Sequence, residues 1–185
     1  QEQAQCTASR EDWYRDVLPK LHPDLVILAD YARDNVSIYG HSLLRAGGSN
    51  ESLHQLIKDT TDETLASITK TGARALILDS IIISSFDPLD CLSSSTHLRQ
   101  CLVGVPRTPP ISDSYYNAAA AHSNKVFTFN INRVACPTAP ACLPMLDGIP
   151  VWRNVNHYTT EILTHFKQQI WNVILRSGAL SGLPG

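Results

Sequence analysis

The sequence is short of charge, of long apolar runs and of the spacings by which metals and phosphates are held. Charged residues are 17% of the 185 residues, and fifteen Lys and Arg against seventeen Asp and Glu leave a net charge of −2. A protein that grips a phosphate backbone carries a basic surplus, so the composition argues against nucleic acid as a partner. No apolar run approaches the ~20 residues that cross a bilayer, which argues against a transmembrane helix within these residues. The amino end, QEQAQCTASRED, lacks the charged-then-apolar pattern of a signal peptide, so any export signal is expected outside this stretch. The seven histidines (22, 41, 54, 97, 122, 157 and 165) show no H-E-x-x-H or similar spacing, and the cysteines show no C-x-x-C. Gly47-Gly48 stands alone in a polar stretch and makes no phosphate loop. The expectation is therefore no metal and no cofactor. There is also no internal repeat and no low-complexity linker.

What is present suits one packed domain over residues 1–185, with 43% hydrophobic residues. Five cysteines fall at Cys6, Cys91, Cys101, Cys136 and Cys142. Cys91 with Cys101 and Cys136 with Cys142 are close pairs in loop-forming surroundings. Two local disulfides are the simplest reading and imply an oxidising compartment. The other reading is five reduced thiols in a cytosolic protein. If the disulfides form, Cys6 is left over, and its partner is expected elsewhere. Two sequons, at Asn35 and Asn50, carry little weight alone.

Three short apolar runs have the character of strands in a parallel sheet: Leu25–Ala29, Ala75–Ile83 and Lys125–Ile131. Helices are expected between and around them. Ser9 and Asp12 resemble a capping box before Trp13, Val17 and Leu21. A long amphipathic helix spans Asn50–Thr71 and ends at Gly72, through Leu53, Leu56, Ile57, Leu65 and Ile68. Residues 84–112 read as a Ser- and Pro-rich loop, Tyr115–His122 as a helix. The last helix runs from about Thr159 to Arg176, with Ile162, Phe166, Ile170, Val173 and Ile174 inward. Alternation of this kind predicts an α/β fold, a three-layer α/β/α sandwich with a parallel sheet. Three strands make a thin sheet where ~5–6 are usual. The chain also opens on a helix, so a first strand is expected to be missing.

The segment Asp147–Thr160 carries the densest chemistry. His157 falls just before a helix start at Thr159 or Thr160, where a loop residue can reach the carboxyl ends of parallel strands. Asn154, three positions earlier, can hydrogen-bond its ring within a turn and so hold a general base. Spacing alone leaves open a plain surface histidine beside a helix cap.

Trp152-Arg153-Asn154-Val155-Asn156-His157-Tyr158-Thr159 resembles the last block of SGNH (GDSL-like) hydrolases, an aspartate, two variable residues and the catalytic histidine. More narrowly, it is similar to the variant that ends membrane-bound acyltransferase-3 proteins, bacterial enzymes that O-acylate cell-surface glycans. Three earlier features agree with that family: Pro23–Ala29, the strand at Gly72–Leu78, and the cysteine pair that follows Asp90. The resemblance spans nearly the whole chain. It implies an SGNH-like fold, His157 as catalytic base and Asn154 as its orienting partner. It also implies a serine ester, an acyl donor delivered by a membrane acyltransferase domain, and a glycan or glycolipid acceptor. The domain would be extracytoplasmic, tethered to the membrane as the carboxyl-terminal part of a larger protein. Two departures stand out. No Gly-Asp-Ser nucleophile block occurs, so the nucleophile is unassigned, and Asn154 stands where an aspartate is expected. An amide can orient imidazole but adds no charge to stabilise imidazolium.

Two alternatives remain at this stage. Gly40-His41-Ser42-Leu43-Leu44 resembles a G-x-S-x-G elbow with leucine for the last glycine, which would make Ser42 the nucleophile of a small secreted esterase. The residues before it make a poor buried strand, which weighs against that corner. The other alternative is a non-catalytic glycan-binding module that has kept the fold and lost the triad.

Overall fold

The computed structural model describes residues 8–29 and 52–183. Cys6, Ser42 with its elbow-like segment, and the asparagines of both sequons lie outside the described residues. Strands are β1 (Leu25–Ala29), β2 (Arg74–Leu78), β3 (Val103–Gly104), β4 (Val126–Phe129), β5 (Ala141–Cys142), β6 (Met145–Leu146), β7 (Ile149–Pro150), β8 (Trp152–Asn154) and β9 (His157–Tyr158). The chain divides into two compact units. One takes Gln1–Leu78, Pro110–Thr128 and Ser177–Gly185, the other Asp79–Pro109 and Phe129–Arg176.

The three apolar runs become one sheet in the order β1-β2-β4. β1 and β2 run parallel, Leu25 opposite Arg74 and Ala29 opposite Leu78. Bonds from Ala75 N to Lys125 O (2.8 Å) and Asp79 N to Phe129 O (2.9 Å) advance together along both strands, so β4 is parallel too. The fold is thus the expected SGNH-like α/β arrangement, with a parallel sheet and helices. β2 is the middle strand and buries Ala75, Leu76 and Ile77, which is why its sequence is apolar on both faces. The Leu53–Thr69 helix starts where Ser52 Oγ accepts from Gln55 N (3.2 Å) and buries Leu56, Ile57, Thr61, Leu65 and Ile68. The turn after it needs Gly72, whose φ of +98° disfavours any side chain. Leu65 and Ile68 join Leu18, Val26, Ala73, Ala75, Ile77 and Val126 in one aliphatic cluster.

The first helix departs from its expected face. Trp13–Val17 is π-helical, closed by Leu18 N bonding back to Trp13 O. The extra residue in that turn rotates the register. Leu18 is fully buried, while Val17 and Leu21 are 40% and 65% exposed. Regular helical spacing from Trp13 therefore named the wrong residues.

In the second unit, the expected loop 84–112 contains a helix, Pro88–Ser94. Asp87 caps it, accepting from Leu89 N (2.9 Å) and Asp90 N (3.3 Å), and Pro88 occupies the first helical position. Both expected disulfides form, Cys91–Cys101 and Cys136–Cys142. The short β3–β5 ladder pairs Val103 with Cys142 and so sews the two closed loops together. A tight hairpin joins β6 to β7 through Asp147 (φ 49°) and Gly148 (φ 79°). The last helix is broken at Phe166 into Thr160–His165 and Lys167–Arg176. Only Ile162 of the expected inward set is buried; Phe166, Ile170, Val173 and Ile174 are half-buried.

Candidate active site

The β8–β9 hairpin presents the candidate histidine. Trp152 pairs with Tyr158 and Asn154 with His157, so β8 spends one residue more than β9 and bulges at Arg153. Neighbours on a strand point to opposite faces, so burying Tyr158 (8% exposed) turns His157 outward into solvent. Immediately beyond, Thr159 caps the Thr160–His165 helix. Its Oγ accepts from Ile162 N (3.1 Å) and donates to Pro150 O (2.6 Å), fixing the chain that leaves the hairpin.

Asn154 Oδ1 lies 3.0 Å from His157 Nδ1. Asn156 N also donates to that atom, at 3.1 Å, so it is the amide oxygen rather than the nitrogen. An oxygen facing two donors can only accept. Nδ1 therefore carries a proton, and in the neutral ring Nε2 is the nitrogen with the free lone pair. That is the tautomer a general base needs. The structure thus brings together the two residues paired on spacing.

Sequence reasoning missed what holds the hairpin. Trp152, fully buried, donates from Nε1 to Ile82 O at 3.0 Å. Tyr158 OH donates to Asn132 Oδ1 at 2.7 Å, and Asn132 Nδ2 donates to Ser80 O at 2.8 Å. Ser84 N donates to Val155 O at 2.7 Å. Asn130 Nδ2 donates to Asp79 Oδ2 at 3.1 Å. The hairpin is thereby tied to the segments that leave the carboxyl ends of β2 and β4. Burial pushes the Tyr158 hydroxyl well above the ordinary tyrosine range, opposed by a smaller effect of its bond with the Ile82 backbone. It stays a neutral donor. The hint in the sequence was two asparagines, Asn130 and Asn132, directly after a strand.

Among the described residues no serine or cysteine hydrogen-bonds to His157. The Ser84 hydroxyl accepts from Phe86 N (3.3 Å), and Cys91, Cys101, Cys136 and Cys142 are all oxidised. Among the described residues, no group of three or more His, Cys, Asp or Glu could hold a metal ion. A groove of about 500 Å³ lies in the first unit, lined by Tyr14, Thr60, Glu63, Thr64 and Lys70 among others. It contains no histidine, and His157 lies in the other unit.

A parallel sheet with helices is the arrangement of an SGNH-like domain. The chain belongs to that family: the model described as SGNH domain (fused to AT3 domains) matches residues 1–171. Among solved structures it is similar to the periplasmic domain of a lipopolysaccharide acetyltransferase of Salmonella ser. Paratyphi A, at 13% identity and a TM-score of 0.53. The likeness covers 83% of this chain and 59% of that one, so this chain spans less than two thirds of its neighbour. At that identity the likeness speaks for the fold. No curated protein matches the chain.

Proposed function

We propose that this chain is the extracytoplasmic part of an O-acyltransferase that moves a short acyl group, through a serine ester, onto a hydroxyl of a cell-envelope glycan or glycolipid. The observation that carries the reading is the Asn154–His157 bond, which places the proton of the neutral ring on Nδ1, in a domain of a family fused to acyltransferase membrane domains. The description of the structural neighbour as a lipopolysaccharide acetyltransferase supports the acceptor class. The serine would come from outside the described residues, in a larger protein whose membrane domain delivers the acyl donor. His157 Nε2 would take the serine proton as the oxygen attacks the acyl carbonyl, then give it to the leaving group. In the second half it would take the proton of the sugar hydroxyl and return it to the serine as the ester breaks.

Turnover of p-nitrophenyl acetate by the whole protein tests this. Loss in His157→Ala, with Ser42→Ala unaffected, is the expected result; retention in His157→Ala overturns it. Asn154→Asp should raise kcat or leave it unchanged, because a carboxylate accepts the same two bonds and adds charge opposite imidazolium. A fall of about tenfold or more, with the fold intact by circular dichroism, would mean that Asn154 contacts substrate on its own account. The amide at position 154 also favours a second reading, a glycan-binding module without catalysis. No turnover in the whole protein, together with saturable glycan binding, would select it.

A further inference from the structure

We propose that Asn132 is the positioning residue of this site, acting on His157 through Tyr158; the assignment rests on the catalytic reading above. Two stretches of chain far from it in sequence, residues 80–82 and Tyr158, meet at its one amide. Nδ2 donates to Ser80 O (2.8 Å), and Oδ1 accepts from Ile82 N (3.2 Å) and from Tyr158 OH (2.7 Å). Asn132 is itself aimed by Asn130, whose Oδ1 accepts from Asn132 N at 2.8 Å. Tyr158 directly follows His157, and its ring meets Trp152 edge-on with centroids 5.7 Å apart. Trp152 reaches the same loop through Ile82 O. One side of the hairpin is therefore locked twice to residues 80–82, and the locked side fixes the backbone from which His157 projects. With its strand anchored on the buried face, His157 has one direction to point, and Asn154 meets its ring. Without the anchor the hairpin can twist about its bulge, and a displacement of about 1 Å at a catalytic group can cost around a hundredfold in rate.

Two measurements decide it. The first is the pair of His157 ring ¹⁵N shifts in the 185-residue chain, which report how fully the proton resides on Nδ1. The second is kcat and KM of the whole protein for p-nitrophenyl acetate. Asn132→Ala should convert the single Nδ1–H tautomer into a mixture, as Asn154→Ala does directly. It should lower kcat by about tenfold or more while KM stays within about twofold. Tyr158→Phe keeps the ring on Trp152, removes only the hydroxyl with its bonds to Asn132 Oδ1 and Ile82 N, and should move both readouts the same way by less. It decides the matter if Asn132→Ala loses its amide dispersion. An unchanged tautomer in a folded Asn132→Ala or in Tyr158→Phe overturns the proposal. A shifted tautomer alongside full turnover in His157→Ala would instead leave the positioning role standing and remove the catalytic one.

Discussion

The two units of this chain reach order by different means. The first is built on aliphatic contacts around β2, with Leu18, Ile68 and Ala75 fully buried and elements long enough to show their period. Its polar bonds are incidental to that core; Arg74, for example, ties down the carboxyl-terminal coil through Ala179 O (2.8 Å) and Ser181 O (2.6 Å). In the second, strands β5 to β9 have two or three residues each, too few for a ladder to be cooperative. Covalent closure and buried polar bonds take over there: Cys91–Cys101, Cys136–Cys142, and the bonds of Asn132, Trp152 and Tyr158. Regular structure supplies the scaffold, and the irregular, stapled part carries the histidine. Such a division suits a site whose geometry must be held without a sheet beneath every residue.

The largest break in the comparison should come from the staples. Replacing both cysteine pairs by serine removes two short closed loops, each worth about 2–3 kcal/mol, and should open the second unit first. In hydrogen exchange, amides from 88 to 104 and from 132 to 158 should lose protection while β1 and β2 keep theirs. Equal loss across both units would mean that the disulfides stabilise the chain as a whole. The converse is Ile68→Ala, which removes a side chain with 0% exposure from the aliphatic cluster. It should cost about 3 kcal/mol in a urea titration and fall on β1, β2 and the Leu53–Thr69 helix. A cost under about 0.5 kcal/mol would place that residue outside the cooperative core.

How much could be seen in the sequence follows the same division. β2 was legible because burial on both faces demands a continuous apolar run, as in Ala75-Leu76-Ile77; β1 shows an equally apolar run, Leu25-Val26-Ile27-Leu28-Ala29, although only Val26 of it is buried and Ile27 is 57% exposed. The disulfides and the Asn154–His157 bond were legible because both are local, and short spacing constrains them. The helix at Pro88–Ser94 was masked by its composition, although Asp87-Pro88 is a proper start signal. The π-turn at Trp13–Val17 leaves no local mark, because tertiary packing of Leu18 selects it. The Asn132 bonds join residues 26 to 52 positions apart, and no periodicity reports a contact of that range. The part of the site that spacing could reveal was the pair; what holds the pair was hidden.

The smallest expected effect separates the two units by pH. Burial raises the Tyr158 hydroxyl above its ordinary value of 10.0, whereas in the unfolded chain it titrates near that value. Below that pH both states hold the proton, and the contribution of the buried neutral hydroxyl is fully present. Above it the unfolded chain releases the proton and the native chain keeps it. The native state then binds more protons than the unfolded state, so stability falls as pH rises toward the folded value. The loss should be local at first. Residues 152–158 should open in hydrogen exchange before the aliphatic cluster does, because the ionised oxygen would face the side-chain amide oxygen of Asn132, Oδ1, instead of donating to it. Tyr158→Phe has nothing to ionise there. Its stability should be lower than the parent's near neutrality by about 1 kcal/mol, for the lost hydrogen bond, and the gap should narrow above pH 10. If the two proteins instead lose stability in parallel through that range, the alkaline transition belongs to other groups, and the Tyr158–Asn132 bond is no stronger a constraint than the exposed contacts around it.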